Sequence, residues 1–164
     1  MKEPCPCGSR RLFARCCEPY LNGKKVAPTA EALMRSRYSA FHQRDVSYLI
    51  RTHHPDYRAP DEERSLHKSA QNTQWLNLIV LSAQKGQRKD SKGSVEFAAA
   101  YQTSSVLGAT ASVKQLHERS DFVKVSGQWL YTEGKMQPPF LPKRDQSCWC
   151  GSGKKFRQCH GTAP

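Results

Sequence analysis

The stretch CPCGSRRLFARCC, residues 5–17, returns near the other end of the chain as CWCGSGKKFRQCH, residues 148–160. Each copy begins Cys-x-Cys-Gly-Ser, and after six further residues two sulfur or imidazole side chains stand next to each other. The identical spacing predicts two small modules built in the same way. The side chains form two sets of four, Cys5, Cys7, Cys16 and Cys17, and Cys148, Cys150, Cys159 and His160.

These two sets contain all seven cysteines of the chain. Four soft sulfur or nitrogen ligands are what tetrahedral Zn²⁺ takes in structural sites. An odd cysteine count argues against a complete disulfide framework, and a redox thiol or an iron–sulfur cluster are weaker alternatives. Structural zinc, two ions per chain, is therefore favoured. Such sites bind with roughly 10–16 kcal/mol, so the two ends are expected to fold only with metal.

The residues between the ligands support the same interpretation. Gly8 and Gly151 follow the second ligand, where a tight loop must bring backbone N–H groups toward sulfur. The next residue, Ser9 or Ser152, is predicted to cap a short helix that leads back to the metal. A phenylalanine at the same place in each copy would supply the apolar contact of so small a module.

The chain is strongly basic, with a formal charge of +12 at pH 7 and a sequence pI near 9.6. This excess favours an anionic partner, whether nucleic acid, a membrane surface or an acidic protein. Basic side chains cluster in residues 85–93 and beside the metal ligands, although a solvated basic surface has the same pattern. The expected partner-binding residues are those beside the ligands: Arg10, Arg11, Arg15, Lys154, Lys155 and Arg157.

No segment approaches the ~20 apolar residues that a membrane span needs. The first residues carry no apolar signal-peptide core before the first cysteine. The sequence therefore predicts a protein of the cytoplasm, where metal-bound thiols are more usual than disulfides.

Two helices are predicted at the start of the middle segment. Residues 30–43 have the apolar spacing of an amphipathic helix, and Thr29 can cap its first turn. Asp45 is placed to begin a shorter helix that ends before Pro55.

Strand patterns follow after a polar stretch for which no element is predicted. They are WLNLIVLSAQ (75–84), SVEFAAAYQ (94–102), SVKQLHERS (112–120), DFVKV (121–125) and QWLYTEG (128–134). Ser126-Gly127 has the composition of a two-residue hairpin turn. Helices followed by a run of antiparallel strands predict an α+β domain.

Both terminal segments resemble the SEC-C motif, the zinc-binding segment at the C-terminal end of the SecA preprotein translocase ATPase. All four ligand positions and the Gly-Ser pair match in each copy. The resemblance implies zinc knuckles that dock on the acidic surface of an export chaperone such as SecB. It does not extend to ATP hydrolysis, because the chain has no Gly-x-x-x-x-Gly-Lys-Ser/Thr phosphate loop.

The helix–helix–strand order and the segment HERSDFVKVSGQWLYTEG (117–134) make the whole chain similar to the YchJ-like proteins. This resemblance implies a cone of the nuclear transport factor 2 (NTF2) type, in which helices pack on a bent antiparallel sheet. The implied domains are an N-terminal knuckle (1–20), the cone (21–137), and a linker with the C-terminal knuckle (138–164). No reaction is implied, and fold alone confers none, so we assign no catalytic residue.

A cone of this kind usually encloses a concave pocket, which could serve acid–base chemistry or the stacking of a flat ligand. Because the segment HERS alternates across a strand, His117 and Glu118 cannot both face that pocket. Residues such as Trp129 and Tyr131 are more often part of the core packing than platforms for a ligand. The pocket candidates are His53, Trp75, His117, Trp129 and Tyr131, with His54, Asp56 and Glu118 as further members.

Three functions are consistent with the sequence. The favoured one is an adaptor whose basic zinc knuckles bind acidic protein partners in chaperone or export pathways. The second is RNA binding, for which Trp149 is the best base-stacking residue of the knuckles. The third, less favoured, is a small-molecule enzyme or ligand-binding protein that uses the cone pocket. Domains of this type often pair through their sheets, so a homodimer of higher avidity is a further expectation.

Overall fold

The computed structural model describes residues 3–103 and 112–162; residues 1–2, 104–111 and 163–164, which the predicted domain ranges include, lie outside the described residues. Within these ranges four α-helices precede four β-strands. The helices are α1 (Glu18–Leu21), α2 (Ala30–Gln43), α3 (Val46–Arg51) and α4 (Glu62–Asn72). The strands are β1 (Thr73–Lys85), β2 (Lys92–Thr103), β3 (Lys114–Val125) and β4 (Gln128–Met136). The predicted α+β class is confirmed.

Helices α2 and α3 begin where their capping residues predict. The Thr29 hydroxyl accepts a hydrogen bond from the Ala32 N–H at 3.1 Å, which satisfies one free donor of the first turn of α2. The Asp45 carboxylate does the same for the Tyr48 N–H of α3 at 2.9 Å. Between the two helices the chain reverses at Arg44, whose backbone is left-handed with a φ of 60°.

Residues 62–72 fold as α4, although the sequence predicts no element there. Ala70 is the single buried residue of this helix, and Leu66, one turn earlier, is its only other apolar residue, so the apolar signal is too short to predict a helix. Two acidic residues, Glu62 and Glu63, lie in the first turn, where they interact favourably with the helix dipole. The helix is positioned by tertiary contacts, because Leu66 packs against the main core from outside.

The four strands form one antiparallel meander in the order β1-β2-β3-β4. The β3–β4 turn is Ser126-Gly127, as predicted, and both residues have positive φ values, 49° and 80°. These values are typical of the two-residue turn whose twist matches that of the flanking strands. The segments predicted separately as 112–120 and 121–125 are one continuous strand, β3, which begins at Lys114.

Two apolar clusters lie on opposite faces of the sheet. Ala99 of β2 belongs to the larger cluster, with α2, α3 and the N-terminal cysteines. The next residue, Ala100, belongs to the smaller cluster, which contains Cys148, Trp149 and Cys150. Because successive side chains of a strand point to opposite faces, the helices cover one face and the C-terminal knuckle covers the other.

None of the helices in the described part of the chain is long and apolar enough to cross a membrane.

Candidate metal centres

The four cysteines of the N-terminal knuckle meet at one point. Their sulfur atoms all lie within 4.8 Å of one another, and all are free thiols. The Sγ atoms of Cys7 and Cys16 are 3.7 Å apart, and those of Cys16 and Cys17 are 3.9 Å apart. In a tetrahedron with Zn–S bonds of about 2.3 Å, the sulfur atoms are separated by about 3.8 Å. The thiols therefore have the spacing of a tetrahedral zinc site rather than that of a disulfide.

The C-terminal knuckle brings together three thiols and an imidazole. The Sγ atoms of Cys150 and Cys159 are 3.6 Å apart, and the Nδ1 atom of His160 is 3.3 Å from the sulfurs of both Cys148 and Cys159. His160 therefore turns Nδ1, not Nε2, toward the three sulfurs. The Trp149 ring packs against the His160 imidazole with 4.4 Å between ring centroids. This contact holds the imidazole with its Nδ1 atom toward the sulfurs.

The backbone of the two knuckles follows the same path. The N–H of the first ligand donates to the carbonyl six residues later, at 2.7 Å in the N-terminal and 2.8 Å in the C-terminal knuckle. The N–H of the third ligand donates to the carbonyl of Phe13 or Phe156 at 3.0 Å in both. The repeated sequence thus encodes one repeated ligand geometry. The chain therefore contains two sets of four side chains, each of which can hold a metal ion.

The serine after each glycine does not have the predicted capping role. The short 3-10 helices begin at Phe13 and Phe156, and neither has a side-chain cap. Instead the Ser9 hydroxyl accepts from the backbone N–H two residues later and lies 3.2 Å from the Cys16 sulfur. Ser152 makes the equivalent contacts, at 3.5 Å from its sulfur. Each hydroxyl is placed to donate a hydrogen bond to the third ligand of its set.

Ser9→Ala and Ser152→Ala are each expected to weaken zinc binding by their own knuckle by about 10–100-fold, because each removes a hydrogen bond to a ligand sulfur. Competition with a chromophoric zinc chelator measures this affinity. Ser91→Ala, at an exposed serine outside both ligand sets, is the control and should change nothing. Equal zinc affinity in all three variants would contradict the assigned role of the hydroxyls.

Both knuckles dock on β1 at neighbouring residues. A Cβ atom on Gly8 would lie 2.7 Å from the Leu78 carbonyl oxygen, and one on Gly151 would lie 2.9 Å from the Asn77 Cβ. The Asn77 side-chain amide also donates to the Trp149 carbonyl at 2.9 Å. Each glycine has a positive φ as well, 73° and 82°. Glycine is required at both positions for two reasons, backbone conformation and close contact with the sheet.

The N-terminal knuckle is part of the main core. Cys5, Cys7 and Cys17 are at most 5% exposed and pack in the larger apolar cluster. The Cys5 sulfur is 3.7 Å from the Ser39 hydroxyl of α2, and Arg35 of the same helix donates to the Cys7 carbonyl at 2.7 Å. This knuckle is therefore integrated with the helices rather than attached to the domain as a separate tail.

Crowding gives the N-terminal thiols different proton affinities. Hydrogen bonds from Cys17 and Cys5 lower the pKa of the Cys7 thiol far below its ordinary value. Burial raises the pKa of Cys16 to about 11, and hydrogen bonding to Cys5 and Cys7 raises the pKa of Cys17. Four thiolates cannot share this small buried volume without a cation to offset their charge. The chemistry of the donors therefore fits a divalent metal ion.

The six predicted partner-binding side chains are all exposed. Those of the C-terminal knuckle are partly neutralised, because Asp145 lies 3.5 Å from Lys155 and 3.2 Å from Arg157. Within the part of the chain that the structure describes, the three arginines of the N-terminal knuckle make no ion pair. The N-terminal knuckle therefore presents the less compensated positive charge.

The helix-covered face of the sheet encloses a cavity of about 390 Å³. Of the predicted pocket residues, His53, Trp75 and Tyr131 line it, as does Glu118. His54 and Asp56 are not among its lining residues; they form a weak pair at 3.8 Å in which Asp56 is exposed. Sequence reasoning did not include Arg37 or Tyr38, which line the cavity from α2, because their helical spacing is that of ordinary core residues.

His117 and Trp129 do not belong to the cavity, which corrects the prediction. His117 points to the other face of the sheet, where its Nε2 lies 2.9 Å from a Glu96 carboxylate oxygen and its Nδ1 donates to the Pro138 carbonyl. It thereby holds the linker that leads to the C-terminal knuckle. Trp129 is 2% exposed and donates from its Nε1 to the Pro28 carbonyl at 3.3 Å, so it is a core residue.

Comparisons with known proteins agree with this architecture. Residues 29–134 match the family described as YchJ, middle NTF2-like domain, and residues 1–19 and 146–162 match the SEC-C motif. The chain is 40% identical to UPF0225 protein GSU1048 of Geobacter sulfurreducens, over 98% of this chain and 99% of that one. A UPF0225 protein of Serratia proteamaculans is 41% identical, with the same two coverages.

Two solved structures are similar to this one. The solution structure of RPA3114, a SEC-C motif containing protein from Rhodopseudomonas palustris, has a TM-score of 0.70 and 33% identity, and covers 83% of this chain and 100% of its own. The crystal structure of a SEC-C motif containing protein from Psychrobacter arcticus has a TM-score of 0.64 and 28% identity, and covers 99% of this chain and 97% of its own.

Proposed function

This chain belongs to the UPF0225 family, with the YchJ-type middle domain between two SEC-C motifs, and on that premise we propose that it is a zinc-binding adaptor for acidic protein partners. Each knuckle holds one structural zinc ion. The ligands are Cys5, Cys7, Cys16 and Cys17 in the first, and Cys148, Cys150, Cys159 and His160 in the second. The chemistry that zinc supplies is structural, since it fixes the loop that carries the basic residues.

The proposal rests on one observation: in the knuckles most cysteine sulfurs face the domain, whereas the basic side chains face solvent. Five of the seven cysteines are buried against the domain, whereas all six flanking arginine and lysine side chains are exposed. A basic surface held on a metal-stiffened loop loses little conformational entropy when a partner binds. It also accelerates encounter with a negatively charged surface in a salt-dependent way. An acidic chaperone of the SecB type is the expected partner.

The two knuckles are not equivalent in this function. They lie on opposite sides of the sheet, so one flat partner surface cannot contact both at once. Asp145 reduces the positive field of the C-terminal knuckle, whereas Arg10, Arg11 and Arg15 keep theirs. The N-terminal knuckle is therefore the primary docking surface in this proposal, and the C-terminal knuckle a weaker second one.

The alternative of RNA binding is disfavoured by the position of Trp149. Stacking of bases requires an exposed aromatic face. Trp149 is 8% exposed and its ring is covered by His160, and Phe13 and Phe156 are both half-buried against the two apolar clusters.

Reversing the charge of the N-terminal knuckle tests the docking surface. Arg10→Glu, Arg11→Glu and Arg15→Glu together are expected to weaken binding to purified SecB by at least about tenfold at low salt, chiefly through slower association. Surface plasmon resonance at two salt concentrations, with zinc-loaded protein, measures both effects. The matching triple change at Lys154, Lys155 and Arg157 should have a smaller effect, because Asp145 already neutralises part of that surface.

A control of equal net charge separates docking from general attraction. Arg64→Glu, Lys68→Glu and Lys135→Glu make the same change on α4 and β4, where all three side chains are exposed. The proposal fails if this variant binds as weakly as the N-terminal variant, or if the unaltered protein forms no salt-dependent complex with acidic chaperones. Tight binding of labelled single-stranded RNA that survives moderate salt would favour the alternative instead.

A further inference from the structure

The cavity of the cone lies between α2, α4 and the sheet. Its volume of about 390 Å³ is within the range of small-molecule sites, and most of its wall is aromatic or aliphatic. Leu66 and Ser69 of α4 form part of its lining, and Ser69 is exposed, so the cavity opens to solvent beside this helix. The knuckles take no part in it.

Buried polar atoms without partners are concentrated at this cavity. Within residues 3–103 and 112–162, three buried side-chain polar atoms have no hydrogen-bond partner in the protein: the Tyr38 hydroxyl, the Glu62 Oε2 atom and the Trp75 Nε1 atom. All three residues line the cavity. Tyr38 is only 6% exposed, and burial raises the pKa of its hydroxyl, which therefore remains a donor. Such atoms are rare and costly in folded proteins, so three at one cavity indicate a ligand.

The charged side chains that line the cavity are mostly engaged within the protein. The His53 Nε2 atom donates to the Thr132 carbonyl at 3.0 Å, and its Nδ1 atom lies 2.5 Å from the Glu62 Oε1 atom. Arg37 donates to the Leu49 carbonyl and the Thr52 hydroxyl at 2.7 Å each, and the Glu118 carboxylate accepts from the Ser120 hydroxyl at 2.6 Å. Apart from the Glu62 Oε2 atom, these charged groups therefore have partners within the described residues, which favours a neutral ligand over an ionic one.

The shape of the wall favours a flat molecule. The Trp75 ring meets the rings of Tyr38 and Phe41 with centroid distances of 5.8 and 5.7 Å. Tyr131 also lines the cavity, and the guanidinium carbon of Arg37 lies over its ring, 4.6 Å from the centroid. The two groups of rings provide apolar surfaces for aromatic stacking, and the unpartnered atoms lie among them.

We propose that this cavity binds a neutral, flat heteroaromatic molecule that carries a hydrogen-bond acceptor beside a donor, as a cyclic amide does. The acceptor bonds to the Tyr38 hydroxyl or the Trp75 indole N–H, and the donor bonds to the free oxygen of Glu62. The site is independent of zinc and of the docking function, since no knuckle residue lines it.

Three probes of nearly the same shape test the proposal. 2-Quinolone offers a donor and an acceptor, quinoline offers an acceptor alone, and naphthalene offers neither. The zinc-loaded full chain is expected to bind 2-quinolone with a dissociation constant of about 10 μM to 1 mM, and the other two at least about tenfold more weakly. In a ¹H–¹⁵N spectrum, 2-quinolone should shift the indole signal of Trp75 but not those of Trp129 and Trp149.

Two tyrosine variants separate a ligand-binding role from a structural one. Tyr38→Phe should raise the melting temperature of the ligand-free protein by about 2–6 °C, because it removes a buried hydroxyl that has no partner, and should weaken 2-quinolone binding about tenfold. Tyr48→Phe is the control, because the Tyr48 hydroxyl is 2.6 Å from the Ser36 hydroxyl and lies outside the cavity. This variant should lower the melting temperature and leave binding unchanged.

Three results would each overturn the proposal. They are equal binding of 2-quinolone and naphthalene, an unmoved Trp75 indole signal at saturating 2-quinolone, and a loss of stability in Tyr38→Phe as large as that in Tyr48→Phe. The last result would mean that the Tyr38 hydroxyl is satisfied by solvent in the folded protein, and that the cavity is a hydrated space.

Discussion

Cys7→Ser is expected to unfold the protein as a whole, whereas Cys150→Ser is expected to leave the cone folded. Both changes remove one sulfur from a set of four, so they are chemically matched. They differ in what the knuckle supports. Cys7 is fully buried and packs in the same apolar cluster as α2, α3 and the inner face of the sheet. Cys150 belongs to the small cluster on the other face.

The size of the effect follows from the binding free energy of zinc. Structural zinc contributes roughly 10–16 kcal/mol in isolated knuckles, which is comparable with the whole stability of an ordinary domain. When Cys7 is replaced, three thiols and a hydroxyl remain inside the core with no cation to compensate them. We therefore expect Cys7→Ser to abolish the cooperative thermal transition and Cys150→Ser to lower the melting temperature by about 5 °C.

Zinc content and folding should be measured on the same samples. The unaltered protein should hold two zinc ions per chain, and Cys150→Ser should hold one and keep dispersed amide signals from α2, α3 and β2. Cys7→Ser should lose signal dispersion throughout, including at residues far from the knuckle. A folded cone in Cys7→Ser, with signals lost only from residues 3–17, would show that the N-terminal knuckle is an independent tail and contradict the shared core.

Gly8→Ala is the second change with a large expected effect. Alanine at a φ of 73° costs about 1–2 kcal/mol wherever it occurs, because its Cβ approaches the carbonyl that follows. At Gly8 the added Cβ would also lie 2.7 Å from the Leu78 carbonyl oxygen, which belongs to a strand and cannot move freely. The expected loss in the free energy of unfolding is at least about 3 kcal/mol, with weaker zinc binding.

Gly23→Ala isolates the backbone contribution. Gly23 has nearly the same φ, 75°, but nothing lies within 4 Å of the position of its Cβ. Chemical denaturation of the two variants should therefore differ by the cost of pushing the knuckle off β1. If Gly8→Ala and Gly23→Ala lose the same stability, the knuckle does not press on the strand, and the docking described above is wrong.

The ligand sets and the regular elements could be predicted because their signals are local. The four ligands of each set lie within thirteen residues, so their type and spacing are enough to predict a metal site. The caps Thr29 and Asp45 lie beside the helices that they start, and Ser126-Gly127 is itself the turn. By contrast, α4 has only two apolar residues, Leu66 and Ala70, and its position depends on the contact of Leu66 with the main core rather than on a long local pattern.

The residues of the cavity were likewise only partly predictable from the sequence. His53, Trp75 and Tyr131 were recognisable as pocket residues by type, but His117, Trp129 and Trp149 are of the same types and lie elsewhere. Residue type alone cannot tell whether a histidine or tryptophan lines the cavity or lies elsewhere. The hydrogen-bond partners that decide this, Pro28 for Trp129 and Pro138 for His117, are distant in the sequence.

The sequence alone determined that this protein has a four-ligand knuckle at each end of an α+β domain. It could do so because the spacing of metal ligands and the alternation of apolar residues in strands are both local patterns. Only the tertiary structure decided that the knuckles take opposite faces of one sheet and that one of them completes the core. It also decided that the polar atoms of Tyr38, Glu62 and Trp75 meet at one cavity. All of these features depend on contacts between segments that are distant in the chain. Such contacts form only when the apolar faces of the helices and the sheet, and the glycine-containing loops of the knuckles, pack together.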